Sequence, residues 1–89
     1  MQNTSQNLEA TYISYSGEMY KGYISLSKEL LIFNNSKKII TRIHKDEISS
    51  FKINNLFLNK NISLRINGKN HKFKLRNKSV ELIVNFIKS

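Results

Sequence analysis

"ISLRINGKNHKFKL", residues 62–75, decides how the chain is read. Ile62, Leu64 and Ile66 alternate with Ser63 and Arg65, and His71, Phe73 and Leu75 alternate with Lys72 and Lys74. Alternation of period two puts every apolar side chain on one face of an extended backbone, so each half predicts a strand with one buried side. Asn67-Gly68 stands between them. Both residues tolerate positive φ, which a tight two-residue hairpin turn demands, so the halves predict an antiparallel pair. The parity also places the cations. With the apolar set facing a core, Arg65, Lys72, Lys74 and Arg76 face water together, whether Asn67-Gly68 or Gly68-Lys69 is the turn centre. Lys52, between inward-facing Phe51 and Ile53, joins them from the preceding strand.

Working toward the N-terminus, the same alternation recurs. Leu8, Ala10 and Tyr12 predict a first strand ending near Tyr15, followed by turn chemistry at Ser16-Gly17-Glu18. A second strand runs from about Tyr20 to Leu26, with Tyr20, Gly22, Ile24 and Leu26 on one face. Ser27-Lys28-Glu29 interrupts, and Leu30 to Phe33 forms a third, closed by Asn34-Asn35-Ser36. A fourth strand covers Ile39 to Ile43, with Ile39, Thr41 and Ile43 on one face; after a polar corner at His44 to Asp46 the fifth holds Ile48, Phe51 and Ile53. The step from Ile48 to Phe51 breaks the alternation, as a bulge does when a strand bends from one sheet toward another. Toward the C-terminus the period changes. Val80, Ile83, Val84 and Ile87 recur at helical spacing, widened by Leu82 and Phe86, with Asn77 or Ser79 as N-cap and Lys88 at the negative end of the dipole.

The composition bounds the rest. At 89 residues the chain predicts one domain, 8–89, behind a short disordered lead-in at 1–7. It contains no cysteine, so packing alone must hold it, and a reducing, cytoplasmic setting is expected. "MQNTSQNLEA" has no cationic start followed by an apolar stretch, so it does not read as a secretory signal. The longest apolar run is the four residues Leu30 to Phe33, against roughly 20 for a membrane-spanning helix. Fifteen Lys and Arg against six Asp and Glu give +9, and the excess lies entirely beyond Ser36. Such a field favours an acidic protein surface, anionic lipid or nucleic acid. A bland cause competes: Asn, Ile and Lys occur twelve times each, as an AT-rich genome would produce.

The element order resembles the pleckstrin-homology superfold, and within it the bacterial PH-like and GRAM-type domains of low-GC Gram-positive bacteria and their phages. The resemblance rests on "GYISLS" (22–27) leading to Leu31-Ile32-Phe33, on Ile43 before a polar corner with Ile48-Ser49-Ser50-Phe51, and on Leu56-Phe57-Leu58 ahead of "ISLRI" (62–66). It spans residues 8 to 88. It implies a mainly β fold with one C-terminal α-helix: seven strands in two near-orthogonal antiparallel sheets, a PH-like barrel capped by the helix. Function is not implied, because this fold hosts lipid binding, peptide binding and scaffolding. One departure stands out. Lipid-binding members clamp phosphates with basic residues around the first turn, whereas "TYISYSGEMYKGY" (11–23) offers Lys21 alone with Glu18 nearby.

The candidate binding residues are therefore Lys52, Arg65, Lys72, Lys74 and Arg76. Like charges at neighbouring strand positions repel, which points to an anionic counterpart; a solvated face that blunts strand pairing is the plain alternative. Leu56, Phe57 and Leu58 are a second candidate, as an apolar contact for a partner or the upper acyl region of a bilayer, or as the fifth strand continued through a bulge. The four tyrosines, Tyr12, Tyr15, Tyr20 and Tyr23, lie in the neutral N-terminal third, apart in sequence from the cations, which disfavours single-strand nucleic-acid binding. His44 and His71 have no third ligand at metal spacing. Asp46 and Glu47 point apart on extended chain, no serine has a placed base, and no glycine-rich phosphate loop exists. We therefore expect no enzyme, cofactor or metal. The expected function is a non-enzymatic interaction module that binds an acidic protein partner, or an anionic lipid surface at the inner face of the membrane. The alternatives are nucleic-acid binding by backbone charge, and a small phage or mobile-element protein that inhibits a host enzyme by occlusion.

Overall fold

The computed structural model describes residues 7–36, 38–55 and 59–89. Among them the chain forms β1 (Asn7–Ile13), β2 (Met19–Leu26), β3 (Leu30–Asn35), β4 (Lys38–His44), a 3₁₀ turn (Lys45–Glu47), β5 (Ile48–Asn55), β6 (Lys60–Ile66), β7 (Lys69–Leu75) and α1 (Asn77–Lys88). Leu56, Phe57 and Leu58, a candidate contact by sequence, lie outside the described residues.

The strands make one antiparallel sheet in the order β4-β3-β2-β1-β7-β6-β5. It is curled. Buried side chains from β1 (Tyr12), β2 (Ile24), β3 (Phe33), β4 (Ile43), β6 (Leu64) and β7 (Phe73) join a single cluster, which a flat sheet of this width could not bring together. α1 lays Val80, Ile83 and Phe86 onto the same cluster, and its exposed arc includes Leu82. Burying side chains such as Phe33 and Phe73 contributes about 1.5–3 kcal/mol each.

β1 is the joint of the sheet. It pairs with β2 along its whole length, from Asn7↔Ser25 to Ile13↔Met19, but with β7 only from Thr11↔Lys74 to Ile13↔Lys72. The pairing stops at Thr11↔Lys74, one residue before β7 ends at Leu75, and a seam opens where β1 runs on past the end of β7.

The hairpin turn is built as expected, with φ of 53° at Asn67 and 77° at Gly68. The parity break in β5 is a register shift between Ile48 and Ser50, and the extra residue, Ser49, donates its hydroxyl to the Arg65 carbonyl at 3.0 Å. Two expectations need correction. In β4 it is Ile40, not Ile39, that packs on the core, because a register shift at Phe33/Asn34 pairs Thr41 with Phe33 and Ile39 with Asn34. Ile39 is left 45% exposed. The helix N-cap is Arg76, without a side-chain cap bond; Asn77 and Ser79 already lie inside the helix, where the Ser79 and Val80 amides donate to the Arg76 carbonyl. At the far end, Lys45 donates to the backbone oxygen and hydroxyl of Ser89.

Candidate functional site

The outer face of β5, β6 and β7 follows from cross-strand register. Lys52 stands opposite Ser63, and Ser63 opposite Lys72. One row over, Ser50 faces Arg65 and Arg65 faces Asn70; on the other side, Asn61 faces Lys74. All of these cations point away from the core, and Lys52, Arg65, Lys72, Lys74 and Arg76 are all exposed. Lys52, Arg65, Lys72 and Lys74 thus share one side of the sheet, and Arg76, just past the end of β7, lines a groove together with Lys74. Lys52, Arg65 and Lys72 rim a shallow hollow of about 400 Å³ floored by Ser63.

The rows do not stop at β7. Because β1 pairs on both sides, Lys72 is followed by Ile13 and Met19, and Lys74 by Thr11 and Lys21. Met19 is 67% exposed. A charged field therefore grades into an apolar strip on one continuous face. The next position along β1 is Glu9, paired with Tyr23. Where β1 runs on past the end of β7, a groove of about 610 Å³ opens, lined by Glu9, Lys21, Tyr23, Lys74 and Arg76, with Gly22 also contributing.

That groove holds two residues, Lys21 and Tyr23, that no local sequence pattern marks as part of a site. Lys21 is solitary in its own segment, and Tyr23 belongs to a neutral third of the chain. Sheet order brings both beside Lys74 and Arg76, so aromatic surface and charge are adjacent in space although separated in sequence. The signal that could have found them is the strand order, since no local pattern marks them.

A second cluster lies on the inner side, near the β1–β2 and β6–β7 turns. The Tyr12 ring stacks on Phe73 at 5.0 Å and lies nearly parallel to His71 at 5.9 Å, and its hydroxyl lies 2.7 Å from His71 Nδ1. Burial, and then the nearby Lys69, lower the His71 pKa below its ordinary value. A neutral ring protonated at Nε2 accepts a hydrogen bond from the Tyr12 hydroxyl at Nδ1, and one protonated at Nδ1 donates to the Tyr12 oxygen. Burial is also the main cause that raises the Tyr12 pKa, with Thr41 opposing it by a hydrogen bond. Lys69 Nζ lies 4.2 Å from the Tyr15 ring centroid, a cation–π contact at the rim. This arrangement ties β1 to β7 at this end of the curled sheet. Among the described residues, no three His, Asp or Glu side chains are grouped to hold a metal, and no helix is long and apolar enough to cross a membrane.

No protein-family model and no curated protein matches the chain. Among solved structures, it is similar to the C-terminal domain of an unknown protein from Leishmania infantum, with a TM-score of 0.75 at 12% identity over 94% of this chain and 83% of that one. At that identity the likeness shows a shared fold.

Proposed function

We propose that the chain is a non-enzymatic interaction module of PH-like build, with an outer basic face that docks an acidic protein partner. In this reading β1 serves both halves of a barrel: β4-β3-β2 on one side and β7-β6-β5 on the other approach two sheets set at an angle. The strand order and the terminal helix support this build.

One observation carries the functional reading: Lys52, Arg65, Lys72 and Lys74 lie on one exposed face that runs directly into Ile13 and Met19, with Arg76 just past the end of β7. Protein interfaces combine an apolar patch, in which methionine is enriched, with a polar rim. Charge on the rim steers a partner of opposite sign and adds specificity. A second reading, single-stranded nucleic acid, draws on the Tyr23 ring beside Lys21, Lys74 and Arg76.

The test is capture from nuclease-treated lysate by the wild type and by a Lys52→Glu, Arg65→Glu, Lys72→Glu variant. The reading expects nuclease-resistant capture of an acidic protein that the variant loses. Capture unaffected by charge reversal refutes it, and capture abolished by nuclease transfers the face to nucleic acid.

A further inference from the structure

We propose that the groove where β1 runs past the end of β7 is a site for a phosphate monoester, presented as a phosphorylated side chain of the acidic partner. The inference rests on the protein-docking reading and names the group that anchors it.

Charge selects the ligand. Among the described residues, Lys21, Lys74 and Arg76 line the groove with Glu9 as the carboxylate, and these three cations less one anion give a formal +2. A phosphorylated side chain carries about −1.5 to −2 at pH 7, the closest match; a carboxylate or a backbone phosphodiester supplies about one charge per group. Without such a dianion the cations repel one another.

Geometry lets them converge. Lys74, Thr11 and Lys21 occupy directly paired positions on three consecutive strands, so the two lysine Cα atoms lie about 10 Å apart, twice the inter-strand spacing. Arg76 follows Lys74 by two residues, about 7 Å along the chain. Side chains of that length reach a common point above Thr11 without backbone movement. The Thr11 hydroxyl adds a donor there, and guanidinium can grip two phosphate oxygens at once. Room is ample at about 610 Å³. The Tyr23 ring, 44% exposed on the opposite wall, is placed to flank the chain that bears the phosphate.

The test is a ¹⁵N-HSQC titration of the full chain with O-phosphoserine, inorganic phosphate, sodium acetate at matched ionic strength, and a single-stranded oligonucleotide. The proposal expects saturable shifts centred on Thr11, Lys21, Tyr23 and Arg76 with phosphoserine and phosphate. A Lys74→Ala, Arg76→Ala variant should weaken them by at least about tenfold while its spectrum stays dispersed. The Lys52→Glu, Arg65→Glu, Lys72→Glu variant should keep phosphoserine binding. Shifts reproduced by acetate, or unchanged in the groove variant, overturn the site. An oligonucleotide that binds more tightly than phosphoserine, with shifts spread across β5 to β7, overturns it in favour of nucleic acid. The docking reading fails separately: if the three-site charge reversal leaves partner capture intact while phosphoserine still saturates the groove, the phosphate site stands and the wider face loses its role.

Discussion

Replacing Gly22 with alanine should cost this fold stability even though alanine is the smallest side chain that can be added. Gly22 lies within β2, opposite Ala10, where the end of β3 closes against it beyond the register shift at Phe33/Asn34. An added Cβ collides with the Asn34 carbonyl oxygen and stands 2.9 Å from that carbonyl carbon and 3.0 Å from the Asn35 Cα. All three are backbone atoms, so no rotamer change gives relief and the end of β3 must retreat. Forcing a methyl group into packed space costs about 1–3 kcal/mol. The alanine also restricts the unfolded chain, which returns about 0.4–1 kcal/mol. With the middle of each range the net loss is about 1.3 kcal/mol, and at roughly 4–8 °C per kcal/mol for a domain of this size the Tm should fall by about 5–10 °C. Thermal unfolding followed by circular dichroism measures this directly. Gly22→Val sharpens the test, because strand propensity alone favours valine, whereas the collision requires a fall at least as large as for alanine. A Tm for either variant at or above the wild-type value would refute the close approach of β3 to β2.

Ile39→Lys should leave the Tm nearly unchanged while Ile40→Lys lowers it sharply, since only Ile40 packs on the core; equal melting of the two by circular dichroism would count against the β4 register. Phe73→Ala should destabilise by about 3–5 kcal/mol in urea titrations, whereas Lys74→Ala, one residue on but outward, should stay within about 0.5 kcal/mol. Acid should weaken the fold through His71. Its folded pKa lies below the ordinary value because of burial and then Lys69, so the unfolded chain binds the proton first. The contribution is complete above about pH 6.5 and declines as the pH falls toward the folded pKa. Urea unfolding across that range should show stability rising with pH, and His71→Phe should flatten the slope; an unaltered slope in the variant would assign the effect elsewhere.

The parts of the fold that were legible are those in which one strand's own parity decides the outcome. Ile62, Leu64, Ile66, Phe73 and Leu75 turned inward as their alternation requires, and Asn67-Gly68 closed the hairpin with positive φ at both residues. The break between Ile48 and Phe51 was legible too, because a bulge adds one residue to the count on its own strand. The bulge that exchanges Ile39 for Ile40 was not. "KKIITRIH" (37–44) is compatible with either isoleucine inward, and the choice is made by how β3 presents Phe33 and Asn34 across the ladder. The helix start is illegible for a similar reason: Asn77 and Ser79 are good caps in isolation, yet β7 runs to Leu75 and leaves Arg76 alone to make the transition.

The candidate site divides along the same line, and the division bears on what to test first. Lys52, Arg65, Lys72 and Lys74 could be assigned to one face from hairpin parity, because β6 and β7 are consecutive and Lys52 precedes them by one strand. Lys21, Tyr23 and Glu9 could not, because β1 and β2 reach β7 only through a pairing between the first strand and the last. That long-range pairing covers three residues on each strand and stops one residue before β7 ends at Leu75, and the groove lies where β1 continues beyond it. The same feature therefore creates the cavity and supplies its contrasting wall. If β7 continued through Arg76 and paired with Ala10 and Glu9, Lys74 and Arg76 would lie on an unbroken basic sheet with no recess to distinguish a phosphate from general negative charge. A groove-specific response to phosphoserine, set against a face-wide response to salt, therefore tests the seam between β1 and β7 as much as the cations that line it.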